Sequence, residues 1–354
     1  MSKTDIRLRQ DEIADVVPRF KVGPVLFTRP CGGTANASLI VITPSGQYFL
    51  KRRNPRYCDP RQLVYDHHVL KALYDKGLPV PQALTTPSAS RWVEHSGHIY
   101  ELYRFIEGTV HPSPNIAQVA EAGAVLAHFH SATADLKPPG KKFFGRFWDP
   151  KQATEMLEKL LQRAKDGDIG SVQDLSAGAV VEVLEYLLAE AAAVEQALPD
   201  SAFWALPQTV IHGDWHPANL KFADGRVAGI FDFDWVDRQP RMVDIADGVI
   251  YLCGLRPPSE GEDDIWTLTA TPEFNWPRMR VFFSAYAASH PPADAELAAL
   301  PHLIAARWIY ARVDAADRKI PEADQLRFVL RNVTSPLAWL HENRAALTKN
   351  GWWL

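Results

Sequence analysis

Apolar residues in the first third of the chain recur mostly with the two-residue period of β-strands. Residues 39–42 and 48–50 form two apolar runs, and the Pro, Ser and Gly between them favour a tight turn, so they predict a β-hairpin. A second hairpin is predicted over 91–103. Residues 60–76 instead place apolar side chains three and four positions apart, which predicts a helix that ends at the glycine that follows. The pattern therefore predicts a small β-rich unit with one main helix.

The pattern changes at Gly108, after which helical spacing dominates. Helices are predicted over 116–130, over 180–194 and from 243 to the C-terminus, with a loop over 135–148 and a second β-region over 210–234. We therefore predict an α+β fold with two lobes. Residues 1–105 form a small β-rich N-terminal lobe, and residues 106–354 form a larger, mainly helical C-terminal lobe.

Composition and charge restrict the partners and the compartment. The formal net charge is -4, with 38 Lys and Arg against 42 Asp and Glu, so no broad basic field is expected to hold a nucleic acid or an anionic membrane. The cysteines, Cys31, Cys58 and Cys253, are odd in number and widely spaced, which favours a reducing compartment over a disulfide framework. The charged N-terminus has no secretory apolar stretch, and no run approaches the roughly 18 apolar residues of a membrane span. We expect a cytoplasmic protein that acts on a small molecule; its oligomeric state stays open.

The most informative segment is HGDWHPAN at residues 212–219, which is followed by IFDFD at 230–234. Short apolar runs flank each polar stretch, so the backbone is expected to hold Asp214, Asn219 and Asp232 close together. Phosphoryl transfer requires such a set, because one carboxylate orients and deprotonates the attacking hydroxyl while an amide and a second carboxylate supply hard oxygen ligands to magnesium.

Two other interpretations of this segment are open. It could be a polar turn with solvated carboxylates, which would make its match to the other motifs a coincidence. It could also be a metal site, since His212, Asp214 and His216 alternate as three ligands on one side of a strand would. Gly213 and Pro217 make a regular strand unfavourable, and no further histidine-rich element would complete the ligand shell.

The same segment resembles the aminoglycoside phosphotransferase and choline kinase superfamily, whose pattern is HGDxHxxN followed downstream by an apolar pair, Asp and an aromatic residue. The resemblance implies a protein-kinase-like fold that uses ATP and Mg²⁺. It implies that Asp214 is the catalytic base, that Asn219 and Asp232 are the magnesium ligands, and that His212 is a packing residue. Asp244, in MVDIA at 242–246, matches the acid that braces the catalytic loop in that superfamily.

The N-terminal lobe offers a nucleotide site. A glycine-rich turn at 32–38, which includes Gly33 and Asn36, precedes a strand, and small residues there let backbone N–H groups approach phosphate oxygens. Lys51 follows on the next strand, an order that resembles the nucleotide-binding lobe of the superfamily and implies a lysine on the α- and β-phosphates. Beside Arg52 and Arg53 it could instead belong to an exposed basic patch. GxxxxGK[ST] does not occur in the sequence, which disfavours a P-loop enzyme.

An acidic partner for Lys51 is expected on the helix at 60–76. Asp66 lies three residues after Leu63 and four before Leu70, so it falls on the apolar face, where a carboxylate needs a cation. The superfamily more often has Glu at this place; Asp59 is the second candidate.

Residues 101–108, ELYRFIEG, look like the interlobe linker of the homoserine-kinase-like and spore-coat-kinase-like branches. The resemblance implies that backbone groups near Leu102 and Tyr103 contact the adenine. An ordinary edge strand that enters a turn would have the same sequence pattern.

The acceptor site is expected in the helical lobe. Trp215 and the acidic run 260–264 could receive an ammonium group, although such a run is often a solvated loop, whereas Arg307, Lys141 and Lys142 could bind a carboxylate. Residues 126–130 and 143–147 resemble the homoserine kinase and N-acetylhexosamine kinase branches. The expected acceptor is the hydroxyl group of an amino alcohol, an amino acid or a sugar or amino sugar.

An inactive relative that binds nucleotide or ligand without chemistry is the main alternative function. Asp66 in place of Glu and the weak glycine-rich turn motivate it. A protein-substrate kinase is disfavoured because HRD, DFG and APE do not occur in the sequence.

Overall fold

The computed structural model describes residues 8–31, 37–256 and 265–354. The expected phosphate contacts Gly33 and Asn36 lie outside the described residues, and so does the acidic run 260–264. The strands are Phe27–Pro30 (β1), Ala37–Thr43 (β2), Gly46–Arg52 (β3), Val93–His95 (β4), His98–Arg104 (β5), Thr109–Val110 (β6), Gln208–Ile211 (β7), Leu220–Ala223 (β8), Arg226–Ile230 (β9), Asp237–Pro240 (β10), Gly254–Leu255 (β11) and Glu273–Phe274 (β12). The helices are Gln10–Val16 (α1), Pro60–Asp75 (α2), Ile116–Thr133 (α3), Pro150–Lys165 (α4), Ala177–Ala197 (α5), Asp200–Ala205 (α6), Met242–Gly248 (α7), Trp276–Ala287 (α8), Asp294–Lys319 (α9), Gln325–Leu330 (α10) and Thr334–Leu347 (α11).

The N-terminal lobe is built on an antiparallel sheet with strand order β1-β2-β3-β5-β4. Successive side chains of a strand point to opposite faces, so β3 and β5 each carry two different sets of residues. Tyr48, Leu50 and Leu102 face a small core that includes Val16 and Phe20 near α1. Lys51, which pairs in register with Glu101 of β5, lies on the other face, toward the second lobe.

The C-terminal lobe is mainly helical. Helix α3 packs on α8, and the 26-residue helix α9 packs on α4, α5, α7, α10 and α11. Their buried residues form one large core. The fold is therefore the predicted α+β fold with a sheet-based N-terminal lobe and a mostly helical C-terminal lobe. None of the helices in the three described ranges combines the length and apolarity that a bilayer span requires.

Helix α2 follows the sheet in sequence but packs into the core of the helical lobe. Its buried Tyr65, Val69, Leu70 and Leu73 belong to the large core and not to the small one beneath α1. The contact surface between the lobes therefore includes one whole helix face.

Short β-structure in the C-terminal lobe carries the polar segments of the site. β7 pairs with β10, and β8 pairs with both β9 and β6. The predicted β-region at 210–234 is confirmed as β7, β8 and β9, whereas the two-residue strand β6 and strand β10 have too few apolar positions to be recognised in the sequence.

Candidate active site

The polar loop between β7 and β8 is held by one buried carboxylate. Asp244, fully buried on α7, accepts the backbone N–H of His212 and of Gly213, each at 2.8 Å. The same carboxylate lies 3.0 Å from Nε2 of the buried His130. Gly213 has φ +79, and a Cβ there would come within 2.5 Å of the Trp235 carbonyl oxygen, so the turn requires glycine. Asp244 thus braces the loop as the resemblance implied.

The braced loop leaves the Asp214 side chain partly exposed, with its two oxygens in different surroundings. Oδ2 lies 3.2 Å from Nε2 of His216 and accepts from the side-chain amide of Asn219 at 3.1 Å. Oδ1 accepts one long contact, 3.4 Å from Nη2 of Arg307. Oδ1 is therefore the oxygen that an acceptor hydroxyl can approach.

Asp214 and His216 stabilise each other's charged forms. Burial alone would raise the pKa of Asp214, but the adjacent His216 and Arg307 hold the pKa of this carboxyl well below its ordinary value. Burial would likewise lower the pKa of His216, but the Asp214 carboxylate raises it. Asp214 is therefore ionised at neutral pH, as a proton acceptor must be.

Asn219 and Asp232 meet at the same place. The backbone N–H of Phe231 donates to the carbonyl oxygen of Asn219 at 2.9 Å, which fixes the residue before Asp232 beside the loop. The side-chain nitrogen of Asn219 donates hydrogen bonds to Asp214, so the side-chain oxygen is left to bind a cation. Asp232 has φ +60, a costly backbone conformation for a residue other than glycine.

The donor set fits a magnesium ion. Burial raises the pKa of Asp232, the Lys51 ammonium opposes this shift, and the nearby carboxylates of Asp234 and Asp214 add to it. Repulsion between three acids favours an added cation here. An amide oxygen and a carboxylate are also ligands that Mg²⁺ accepts when phosphate oxygens complete its shell.

Lys51 is buried and faces these acids. Its Nζ lies 3.2 Å from Oδ1 of Asp232 and 2.8 Å from Oδ1 of Asp234. Burial would lower the pKa of Lys51, but the two carboxylates raise it. The alternative of an exposed basic patch is therefore wrong, and so is the expected pairing of Lys51 with Asp66.

Asp66 is buried on the inward face of α2, but it pairs with two other cations. Its Oδ2 accepts from Nη2 of Arg53 at 2.6 Å, and its Oδ1 accepts from Nζ of Lys142 at 2.7 Å. The physical reason lies in the strand period, since Arg53 follows Lys51 by two residues, shares its face and has a longer side chain. The second candidate, Asp59, caps α2 and binds Arg61.

The adenine contact expected at backbone groups near Leu102 stays a prediction, and the sheet uses one of those groups. Leu102 is fully buried within β5, and its carbonyl oxygen accepts the backbone N–H of Leu84 at 2.8 Å. The sequence predicted the segment correctly as a strand entering a turn but could not show which backbone groups the sheet uses. A contact at Tyr103 stays a prediction.

Arg307, which contacts Asp214, also lies against a second acid and two aromatic rings. Nε of Arg307 donates to Oδ1 of the buried Asp247 at 2.6 Å. The Arg307 guanidinium also lies 5.3 Å from the ring centre of Trp148 and 5.2 Å from that of Tyr251. The guanidinium of Arg256 also lies 4.9 Å from the ring centre of Tyr251. Its buried Nη2 has no hydrogen-bond partner in the described part of the chain.

Trp215 and Lys142, which the sequence offered as acceptor-binding residues, are instead buried inside the protein. Trp215 is fully buried, with its ring against Phe129 and its backbone N–H donating to Asp247 at 3.2 Å. Lys142 is buried against Asp66. Neither is open to an acceptor, whereas Arg307 lies beside Asp214, and its contact with an acceptor carboxylate stays a prediction.

Several site residues were missed by the sequence reasoning. Arg53 could have been found from its face on β3, and Asp247 from its position one helical turn after Asp244. The roles of Arg256 and Tyr251 could not be predicted from residue spacing, because they depend on how α7 and the segment after it cross α9.

Comparisons with known proteins relate the chain to phosphotransferases over most of its length. A model described as the phosphotransferase enzyme family matches residues 27–282. A homoserine kinase of Bradyrhizobium sp. strain BTAi1 is 27% identical over 295 residues, 83% of this chain and 79% of that protein. A homoserine kinase of Phenylobacterium zucineum is 27% identical over 88% of this chain and 86% of its own length.

Solved structures share the fold at low identity. An aminoglycoside phosphotransferase from Alicyclobacillus acidocaldarius superposes with a TM-score of 0.65 at 16% identity, over 94% of this chain and 96% of that one. A microcompartment-associated aminopropanol kinase gives 0.61 at 16% identity, over 94% and 97%. An amicoumacin kinase with bound AMP-PNP, Ca²⁺ and amicoumacin gives 0.62 at 14% identity, over 99% of both chains.

Proposed function

The chain belongs to the phosphotransferase enzyme family and is a small-molecule kinase, and from this premise we propose that it transfers the γ-phosphoryl group of ATP, with magnesium, to a hydroxyl group that lies against Asp214. The observation that carries the proposal is the geometry of that residue. Oδ2 is held by His216 and Asn219, while Oδ1 has a single long contact among the described residues, with Arg307.

The proposed reaction assigns each group a task. The acceptor hydroxyl gives its proton to Oδ1 of Asp214 as its oxygen attacks the γ-phosphorus, and the bond to the β–γ bridging oxygen breaks to release ADP. Magnesium, held by Asn219 and Asp232, would supply positive charge to the phosphate oxygens. Lys51, whose Nζ lies 3.2 Å from Oδ1 of Asp232, would contact the α- and β-phosphates.

For the acceptor, we propose a small hydroxyl compound that carries a carboxylate, with homoserine as the first candidate. The relatives from Bradyrhizobium and Phenylobacterium are named homoserine kinases. The charges near Asp214 support an acid more than a polycation, because Arg256 and Arg307 line this side and the buried Nη2 of Arg256 has no partner in the described ranges. A buried donor without a partner among the described residues is costly to leave so, and a substrate carboxylate would satisfy it.

ADP release with the purified protein tests the proposal. Homoserine, 1-amino-2-propanol, choline, N-acetylglucosamine and an aminoglycoside are compared, each with ATP and magnesium and again with EDTA. We expect magnesium-dependent turnover with at least one small hydroxyl compound, fastest with homoserine. Nucleotide binding without turnover on any acceptor would favour the inactive binding protein, and turnover that survives EDTA would contradict the metal assignment.

A further inference from the structure

A segment of the helical lobe lies across the first turns of α2. We call residues 140–144 the strap. At Gly140 φ is +91, and a Cβ would lie 2.2 Å from the Arg61 carbonyl oxygen, so the backbone sits directly on α2. The next residue, Lys141, donates its backbone N–H to the same oxygen at 3.1 Å. Two consecutive residues of the helical lobe therefore dock on a helix that leads out of the N-terminal lobe.

Lys142 extends this docking to the turn that follows Asp232. Its Nζ donates to Oδ1 of Asp66 at 2.7 Å and to the backbone carbonyl oxygen of Asp234 at 2.9 Å. Its side chain is fully buried, so water cannot replace either bond. Two residues on, Phe144 stacks on Trp235 with ring centres 5.1 Å apart and planes 6° from parallel. The strap thus connects α2 with the turn that follows Asp232.

Arg53 makes a second, parallel connection. Its Nη2 lies 2.6 Å from Oδ2 of Asp66 and 2.9 Å from Oδ1 of Asp234, and its Nη1 lies 3.1 Å from Oε1 of Glu101. Both oxygens of Asp66 are therefore occupied, one by each cation. Asp66 and Asp234 are joined twice, once from the sheet and once from the strap.

From this geometry we propose that Lys142 is a positioning residue that fixes α2 against the Asp232–Asp234 turn, so that Lys51 is not needed to hold the helix. Because Asp66 is occupied by Arg53 and Lys142, Lys51 stays on Asp232 and Asp234, where a nucleotide's phosphates would meet it. The role at the nucleotide rests on the proposed function, whereas the mechanical coupling of the two segments does not.

The neighbouring lysine provides a matched control. Lys141 is exposed and contributes to the docking through its backbone, so K141M removes a charge without touching the connection. K142M removes both side-chain bonds. Hydrogen–deuterium exchange is measured without nucleotide on peptides covering α2 and residues 231–236. We expect faster exchange in both segments for K142M and wild-type exchange for K141M.

Kinetics give the second readout. We expect K142M to raise the KM for ATP by about tenfold while the KM for the acceptor changes by less than about twofold, because both side-chain bonds of Lys142 lie on the nucleotide side, at Asp66 and Asp234. Exchange that is unchanged in either segment, or an equal rise in both KM values, would overturn the proposal. If the wild-type protein does not bind ATP, the proposed function fails but the exchange experiment still decides the coupling.

A second variant separates folding from positioning. K142M leaves Asp66 with one buried oxygen unpaired, which can lower stability by itself. In the double variant D66N/K142M that charge is removed, so we expect the melting temperature to recover relative to K142M. Faster exchange in both segments must persist in the double variant; its return to wild-type values would reduce Lys142 to a purely structural ion pair.

Discussion

At the scale of single residues, the candidate base is defined by what surrounds it. Asp214, Asn219 and Asp232 were predicted from the sequence to lie together because short strands flank each polar stretch, and the structure places them so. Which oxygen of Asp214 faces the acceptor could not be predicted, since it depends on Arg307, far away in the sequence.

The first prediction concerns Asp214 itself. D214N keeps the shape of the side chain but removes its ability to accept a proton, so we expect kcat to fall by about 100-fold or more. ATP affinity, measured by calorimetry, should stay close to that of the wild type. D224N, in the exposed turn between β8 and β9, serves as the control and should keep full activity. A D214N enzyme with undiminished kcat would refute the assignment of the base.

The second prediction concerns the metal ligand. D232A removes the carboxylate beside Lys51, so magnesium should no longer strengthen ATP binding as it does in the wild type. Dissociation constants for ATP with magnesium and with EDTA, for both proteins, measure this. If magnesium improves binding equally in D232A and wild type, Asp232 is not a ligand.

At the scale of elements, the strand period explains an error of the sequence interpretation. Side chains alternate between the two faces along β3, so Arg53, the residue after this strand, shares the inward face of Lys51. Which of the two reaches Asp66 depends on where α2 lies relative to the sheet. The helix packs on the core of the other lobe, a tertiary contact that its own apolar pattern does not specify.

The third prediction uses Asp237 at the start of β10. Burial raises its pKa to about 6, from about 4 in an unfolded chain. The folded state therefore binds the Asp237 proton more tightly than the unfolded state does. The stabilisation that this gives the folded state is fully present below about pH 4 and is lost as the pH rises through about 6. D237N cannot ionise, so the difference in unfolding free energy should move in favour of D237N between pH 4 and 7.

Urea unfolding of D237N and wild type at several pH values measures this difference, and D224N is the exposed control. A constant difference between D237N and wild type across this range would show that Asp237 titrates normally in the fold.

At the scale of the whole molecule, the active site is divided between two lobes, whose boundary we propose at residues 105 and 106. The sequence predicts this division because the apolar period changes near Gly108. It cannot predict the strap, since residues 140–144 have the composition of a loop and their partners, Arg61 and Asp234, lie on both sides of them in the chain. The proposed acceptor site is equally non-local, because it combines α9 with the segment after α7.

The last prediction tests that site through the charge of the acceptor. Arg256 offers a buried guanidinium nitrogen without a partner in the described ranges, so a carboxylate there would form a charge-assisted hydrogen bond. R256M should raise the KM for homoserine by about tenfold or more, the effect of losing one such bond. The KM for ATP should not change, and neither should the rate with an amino alcohol that lacks the carboxylate.

R280M, which removes an exposed arginine of α8, controls for the loss of charge. A contact made equally to substrate and transition state changes KM more than kcat. In R256M we therefore expect a raised KM for homoserine with little change in kcat, and in R280M we expect both constants at their wild-type values. Equal effects of R256M on the acid and on the amino alcohol would show that Arg256 shapes the site without binding the carboxylate. The preference for an acidic acceptor would then have to come from Arg307, whose Nη2 lies 3.4 Å from Oδ1 of Asp214.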